Sequence, residues 1–331
     1  MHNLLIKKLY DFLETPSVTL FEKPFYNLLL NECSFKNYNT VSHKDYLAFI
    51  PKKNPSNMVI SAHMDRLGLV RTNGEILYSN YYGYKFYGVD YNPSLLPGNR
   101  FINQNVFAYD NVTGKTLKHG KVESCSISPE NGELVFDVKG FHNKEMPTFF
   151  PIAYSNNLIE DKDELKGQLD NALSVALTYV LLKNNIRHTI LLTTQEEIGK
   201  SWKFIYDFLE ERQLKSVVTI DTINIDGIAD FNTTDIVLRR SDDLADYDVS
   251  LVNKLINFAD KNKFRYYVKP KNPKLIINVT EVGKLAKESN YKFNGATIQF
   301  PIINYHKANE TVKKNCVKAV CSFALDFFQQ I

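Results

Sequence analysis

Four short apolar runs limit what this chain can fold into. Asn57–His63 (N-M-V-I-S-A-H), His188–Thr194 (H-T-I-L-L-T-T), Ser216–Asp221 (S-V-V-T-I-D) and Ala296–Phe300 (A-T-I-Q-F) are each five to seven residues long. Continuous apolar runs of that length suit strands buried on both faces. Between and after them, helical periodicity predicts helices over 172–184, 201–212, 247–262, 281–289 and 310–329. At the front, Leu4, Leu5, Leu9, Phe12 and Leu13 predict a helix over 2–14, residues 20–33 a second one, and Tyr46–Ile50 a strand closed by Pro51. Buried strands alternating with helices predict an α/β fold: a mixed, largely parallel sheet with helices on both faces.

Residues 70–165 read differently. Tyr, Phe, Gly, Asn and Pro are frequent there and helical periodicity is weak. Short alternating runs such as Leu134–Val138 are bounded by turn signals such as Asn131-Gly132, the pattern of hairpins. Residues 70–162 are therefore expected to form a small all-β, barrel-like domain inserted into an α/β domain made of 1–66 and 166–331. A chain of 331 residues has length for about two domains.

The balance of 40 basic against 37 acidic residues, a net charge of +3, argues against nucleic acid or an anionic membrane as the main partner. The four cysteines, Cys33, Cys125, Cys316 and Cys321, form no C-x-x-C and read as buried thiols. The first residues place charge after a short apolar run, the reverse of a signal peptide. No apolar stretch reaches membrane-span length. A soluble, cytoplasmic protein is expected.

The chemistry follows the strands. His63-Met64-Asp65 follows the first run, Gln195-Glu196-Glu197 the second; the third ends in Asp221, and the segment after the fourth ends in Asn304-Tyr305-His306. Asp170 stands just before the helix predicted at 172. In an open α/β sheet, ligands bind beyond the carboxyl ends of the strands. Two histidines (His63, His306) and five carboxylates (Asp65, Asp170, Glu196, Glu197, Asp221) would then meet on one rim. So many negative charges repel unless cations neutralise them, and mixed His and carboxylate donors suit two divalent ions. Asp65, two residues from His63 on extended chain, faces the same side and is placed to accept the other imidazole N–H. Taken singly, a histidine at a strand end is usually structural, and a Glu-Glu pair a solvated helix start; it is the set that points to metal chemistry. His2, His43, His119, His142 and His188 lack such a context and read as structural.

The wording of these segments resembles a known family. S-A-H-M-D-R-L-G (61–68), G-Q-L-D-N (167–171), T-Q-E-E-I-G (194–199), I-D-T (220–222) and P-I-I-N-Y-H (301–306) are similar to the dinuclear zinc aminopeptidases called "M forty-two", which include glutamyl and tetrahedral aminopeptidases. The resemblance covers nearly the whole chain and implies a zinc-exopeptidase fold. It implies that His63 and Asp221 bind one metal, Glu197 and His306 the other, and that Asp170 bridges them. It further implies Glu196 as general base, Asp65 as the residue orienting His63, and a cis peptide bond at Asp170–Asn171. Zn²⁺, or Co²⁺ or Mn²⁺, is the cofactor so implied; peptides are the substrate; and a homo-oligomer, from dimer to dodecamer, is built through the inserted domain. The chain departs from the family at Arg66, Ala172–Ser174 and Lys200–Trp202, none of them a ligand position.

Several readings stay open at this point. A deacylase or carboxypeptidase on the same fold, or a non-catalytic metal-binding paralogue, has the same donors. Arg239 and Arg240 either face an acidic substrate side chain or form an ordinary exposed pair, and Arg66 adds positive charge beside the first motif. Tyr78, Tyr81, Tyr82, Tyr84, Phe86 and Tyr87 either fill the core of the small domain or form an interface.

Overall fold

The fold is described from a computed structural model, over residues 1–72, 75–78, 97–130, 132–141, 149–155, 157–270 and 279–331. Helices α1 (His2–Glu14) and α2 (Lys23–Glu32) lead into strands β1 (Tyr38–His43), β2 (Tyr46–Pro51) and β3 (Met58–His63). Six strands then form a closed barrel: β4 (Leu69–Thr72), β5 (Glu75–Tyr78), β6 (Asn105–Tyr109), β7 (Thr116–Ile127), β8 (Leu134–Lys139) and β9 (Phe150–Tyr154). Strands β10 (Ile159–Asp161) and β11 (Glu164–Gly167) lead back to helix α3 (Ala172–Lys183). The remainder runs β12 (Thr189–Thr193), α4 (Ser201–Arg212), β13 (Ser216–Asn224), β14 (Ile236–Arg239), α5 (Val249–Lys261), β15 (Tyr266–Lys269), α6 (Glu281–Glu288), β16 (Asn294–Ile302), β17 (Glu310–Lys313) and α7 (Lys314–Gln330).

The four apolar runs are the centre of an eight-stranded sheet ordered β1-β2-β12-β3-β13-β16-β14-β15. β12, β3, β13 and β16 are mutually parallel, and β2 and β14 pair antiparallel on either side of them. Side chains alternate between two helical layers, as the strand period of two requires. Ile190 and Leu192 of β12 join the core under α1, α3, α5 and α7. Leu191, between them, joins Phe208 of α4 and Leu285 of α6 on the opposite face. Helix α3 is buried from Ala172 to Leu182, as expected of a helix apolar all round. Each Leu or Val it buries stabilises the fold by about 1.5–3 kcal/mol, so its N-terminus, where Asp170 and Asn171 stand, is firmly placed.

The barrel has its own core, including Leu69, Phe101, Val106, Val122, Phe136, Val138, Phe150 and Ile152. It packs against the α/β part through Val18 and Phe21, which cluster with Val70, Leu77, Tyr109 and Ala153. Gly68, where the chain crosses between them, has no room for a side chain: a Cβ would come within 2.8 Å of the Ile152 carbonyl oxygen. Of the aromatic cluster in the insertion, Tyr81, Tyr82, Tyr84, Phe86 and Tyr87 lie outside the described residues.

Two sequence expectations need correction. The helix expected from 310 begins at Lys314. Residues 310–313 are strand β17, which pairs with β11 (Gly167 opposite Glu310) in a three-stranded sheet with β10. Periodicity alone missed it because the strand is four residues long and runs straight into the helix. Arg239 and Arg240 are not an exposed pair. Leu238 pairs antiparallel with Ile298, so the chain reaches Arg239 moving away from the end of β16 that leads to His306. Arg239 is buried, and Arg240 donates to Asn253 Oδ1 at 3.0 Å.

Candidate functional site

Parallel pairing brings the carboxyl ends of the central strands to one edge. His63 closes β3, directly beside Thr193 at the end of β12. The chain then turns sharply at Gln195, whose φ of 60° lies in the left-handed region, and this breaks the extended path before Glu196 and Glu197. Asp221 lies within β13. His306 lies in the loop between β16 and β17, where Asn304 and His306 also have left-handed φ values of 59° and 58°. Left-handed backbone is uncommon away from glycine and collects at functional sites. Asp170 immediately precedes α3, and the Asp170–Asn171 bond is cis, as the resemblance implies.

The fold brings together all seven residues singled out from the sequence. His63 Nε2 lies 3.3 Å from Asp170 Oδ1 and 3.5 Å from Asp221 Oδ1. His306 Nε2 lies 3.5 Å from Asp170 Oδ2 and 3.8 Å from Glu197 Oε2. The donors thus fall into two groups, His63–Asp170–Asp221 and Asp170–Glu197–His306, with Asp170 in both. These spacings exceed an ordinary hydrogen bond of about 2.7–3.2 Å. They lie at or somewhat above the edge of a tetrahedron with bonds of about 2.0–2.1 Å, which is about 3.3 Å. Asp170 Oδ1 and Glu197 Oε1 are buried and accept no hydrogen bond, an arrangement costly for a carboxylate unless a cation faces it. The donor set therefore fits divalent ions.

The titration behaviour has the same cause. Burial pushes the Glu196 and Glu197 carboxyls well up, and neighbouring carboxylates add to it: Glu281 and Asp221 at Glu196, Asp170 at Glu197. Burial lowers His63, but Asp170, Asp221 and Asp65 outweigh it and raise the imidazole. Burial would raise Asp170, yet His306 and His63 hold it below the usual carboxylate range.

Asp65 has more contacts than the sequence suggested. The closest partner of His63 Nδ1 is the Asp65 backbone carbonyl at 3.1 Å, with its carboxylate Oδ1 at 3.5 Å. Either contact leaves Nε2 free to face the carboxylates of Asp170 and Asp221. Asp65 Oδ1 accepts from the Glu196 N–H at 3.0 Å and Oδ2 from the Glu197 N–H at 3.2 Å. Thr19 Oγ1 also donates to Oδ2 at 3.1 Å. Asp65 therefore fixes the turn that carries both glutamates. Glu196 Oε2 stands 4.0 Å from His63 Nε2 and belongs to neither donor group. It lines a cavity of about 250 Å³ together with Glu197, Trp202, Glu281, Lys284, Tyr305 and His306, among others.

Arg66 does not face this site. Its guanidinium bonds the Thr15 carbonyl and lies 5.6 Å from the Phe25 ring centroid. His188 is structural, joined to Ser56 Oγ and the Phe328 carbonyl. Sequence reasoning missed three buried carboxylates near the rim: Glu22, Glu281 and Glu310. Glu281 looked like an ordinary first-turn acid of a helix. Only the spacing of Glu310, four residues after His306, would have flagged it.

No family model and no curated protein sequence matches the chain. Its likenesses are in three dimensions. The TET1 peptidase of Pyrococcus horikoshii, which can assemble into a tetrahedron or a large octahedral shell, superposes with a TM-score of 0.73 at 16% identity, over 99% of this chain and 100% of that one. An aminopeptidase from the archaeon Desulfurococcus kamchatkensis gives 0.77 at 16% identity, over 100% and 96%. A TET aminopeptidase from a marine-sediment thaumarchaeon gives 0.72 at 12%, over 99% and 97%. The described residues have the fold of these peptidases.

Proposed function

We propose that this protein is a metal-dependent aminopeptidase that hydrolyses the N-terminal residue from peptides. The observation that carries this reading is the pair of His–carboxylate donor groups sharing Asp170, with the uncommitted carboxylate of Glu196 beside them on a cavity of side-chain size. The shared fold with peptidases supports it. His63, Asp170 and Asp221 would hold one divalent ion, and Asp170, Glu197 and His306 a second; Zn²⁺, Co²⁺ and Mn²⁺ all suit these donors. Bound there, the ions supply Lewis acidity, which acidifies water and polarises a scissile carbonyl.

The protein's own groups do the rest. Glu196 accepts the proton of the attacking water and returns it to the leaving amine. Asp65 holds the backbone of Glu196, so the base stays aimed while its neighbour Glu197 points to the metal. The acidic rim favours a substrate that arrives with a free ammonium group. That preference separates an aminopeptidase from a deacylase or a carboxypeptidase.

A panel of aminoacyl anilides, N-acyl amino acids and C-terminal dipeptides tests the reading directly. Turnover of the anilides alone is expected. It should vanish on chelation and return with Zn²⁺, Co²⁺ or Mn²⁺. Turnover of the N-acyl substrates or the dipeptides instead would replace the proposed activity, and no turnover in metal-loaded protein would make the chain a binding paralogue.

The proposal extends to assembly. None of the seven site residues lies in the barrel, so its role need not be chemical, and the P. horikoshii peptidase of the same fold builds closed shells. A homo-oligomer, with a dimer as the minimum and a dodecamer at the upper end, is expected. Light scattering at micromolar concentration should give a mass well above the 38.1 kDa of one chain. A monomer would leave the barrel as a cover for the site.

A further inference from the structure

We infer that Glu310 is a positioning residue that sets the geometry of the Asp170–Glu197–His306 donor group; the inference rests on the two-ion reading above. Glu310 opens β17 and is 1% exposed. Its Oε2 accepts from the Asp170 N–H at 2.8 Å and its Oε1 from the His306 N–H at 2.7 Å. One carboxylate thus ties together the backbones of two residues that are far apart in sequence and whose side chains meet in the same group. With both oxygens engaged by amides, Glu310 acts on the ions through their ligands.

The surrounding backbone shows why a side chain is needed here. His306 has a left-handed φ of 58°, so its N–H points away from any strand ladder and needs a partner elsewhere. Asp170 stands between the end of β11 and the start of α3, where its N–H has no helical acceptor. Pairing of Gly167 with Glu310, and of Ile303 with Thr311, brings both segments alongside β17. Only a group with two acceptors can serve both amides at once. Glutamine cannot: its amide nitrogen would turn a donor toward one of the two N–H groups. His63 and Asp221 have no bond to Glu310, so its loss should act unevenly on the two ions.

The test uses the full-length protein, stripped and titrated with Zn²⁺ and with Co²⁺ against a competing chelator. Wild type is expected to take up two ions. In Glu310→Gln, the ion of the His306 group should bind about 10–100-fold more weakly, the usual effect of losing an outer partner of a ligand, and the other ion should be affected less. The Co²⁺ absorption of the weakened site should change band shape, which a general loss of stability would not cause. Glu310→Asp keeps the charge but falls short of one amide, and should give the same asymmetry at smaller size. It carries the test if the glutamine variant does not fold. Two ions bound as in wild type, or weakened equally, would overturn the inference in either variant. A wild type that binds no ion would overturn the two-ion reading itself, and this inference with it.

Discussion

Glu196→Gln is expected to keep both metals and to lower kcat by about 10²–10⁴-fold, the usual contribution of general acid–base catalysis. In barrier terms this is about 3–5 kcal/mol. The substitution preserves size and removes only the capacity to take a proton. Glu196 is outside both donor groups, and its N–H bond to Asp65 Oδ1 is made by the backbone, so the turn carrying Glu197 should be undisturbed. KM should change little, because the cavity keeps its shape. The measurement is steady-state kinetics beside metal analysis of the same preparation. A variant with wild-type kcat removes Glu196 from the role of base. A variant that has lost its metal shows that Glu196 is a ligand, and the division of labour between Glu196 and Glu197 would then have to be redrawn.

The parts of this site that could be read in the sequence share a physical cause. Strands buried on both faces must be continuous apolar runs, so Asn57–His63, His188–Thr194, Ser216–Asp221 and Ala296–Phe300 declared themselves. Once they are parallel, their carboxyl ends must coincide, and His63, Asp221 and the Glu196-Glu197 pair follow. What was hidden depended on pairing between distant segments. Strand β17 is too short to show a period and exists because β11 lies beside it, so Glu310 looked like the start of a helix. Asp65 was legible as a partner of His63 but not as the group holding Glu196 and Glu197, because that contact needs the left-handed turn at Gln195. Arg239 was misread for a related reason. Its position depends on β14 running against β16, and no local pattern shows strand direction.

Asp170→Ala is expected to do the greatest damage of any single ligand change, reducing bound metal from two ions per chain to less than one and abolishing turnover. The argument is one of counting donors. Removing Asp221 or His306 leaves one complete group and one impaired group. Removing Asp170 leaves His63 with Asp221 and Glu197 with His306, two donors each, where catalytic zinc sites ordinarily have three protein ligands. The fold should survive. Asp170 is held by its backbone N–H on Glu310, which alanine retains, and the wall of α3 behind it is untouched. The comparison is therefore between folded proteins: metal content after dialysis for Asp170→Ala, Asp221→Ala and His306→Ala side by side, with thermal unfolding as the check on integrity. Near zero for the first and near one for each of the others is the expected pattern. Equal losses in all three would mean that Asp170 is not shared. Metal content unaffected by Asp170→Ala would place the ions elsewhere, since His63 Nε2 and His306 Nε2 each lie beside one oxygen of Asp170.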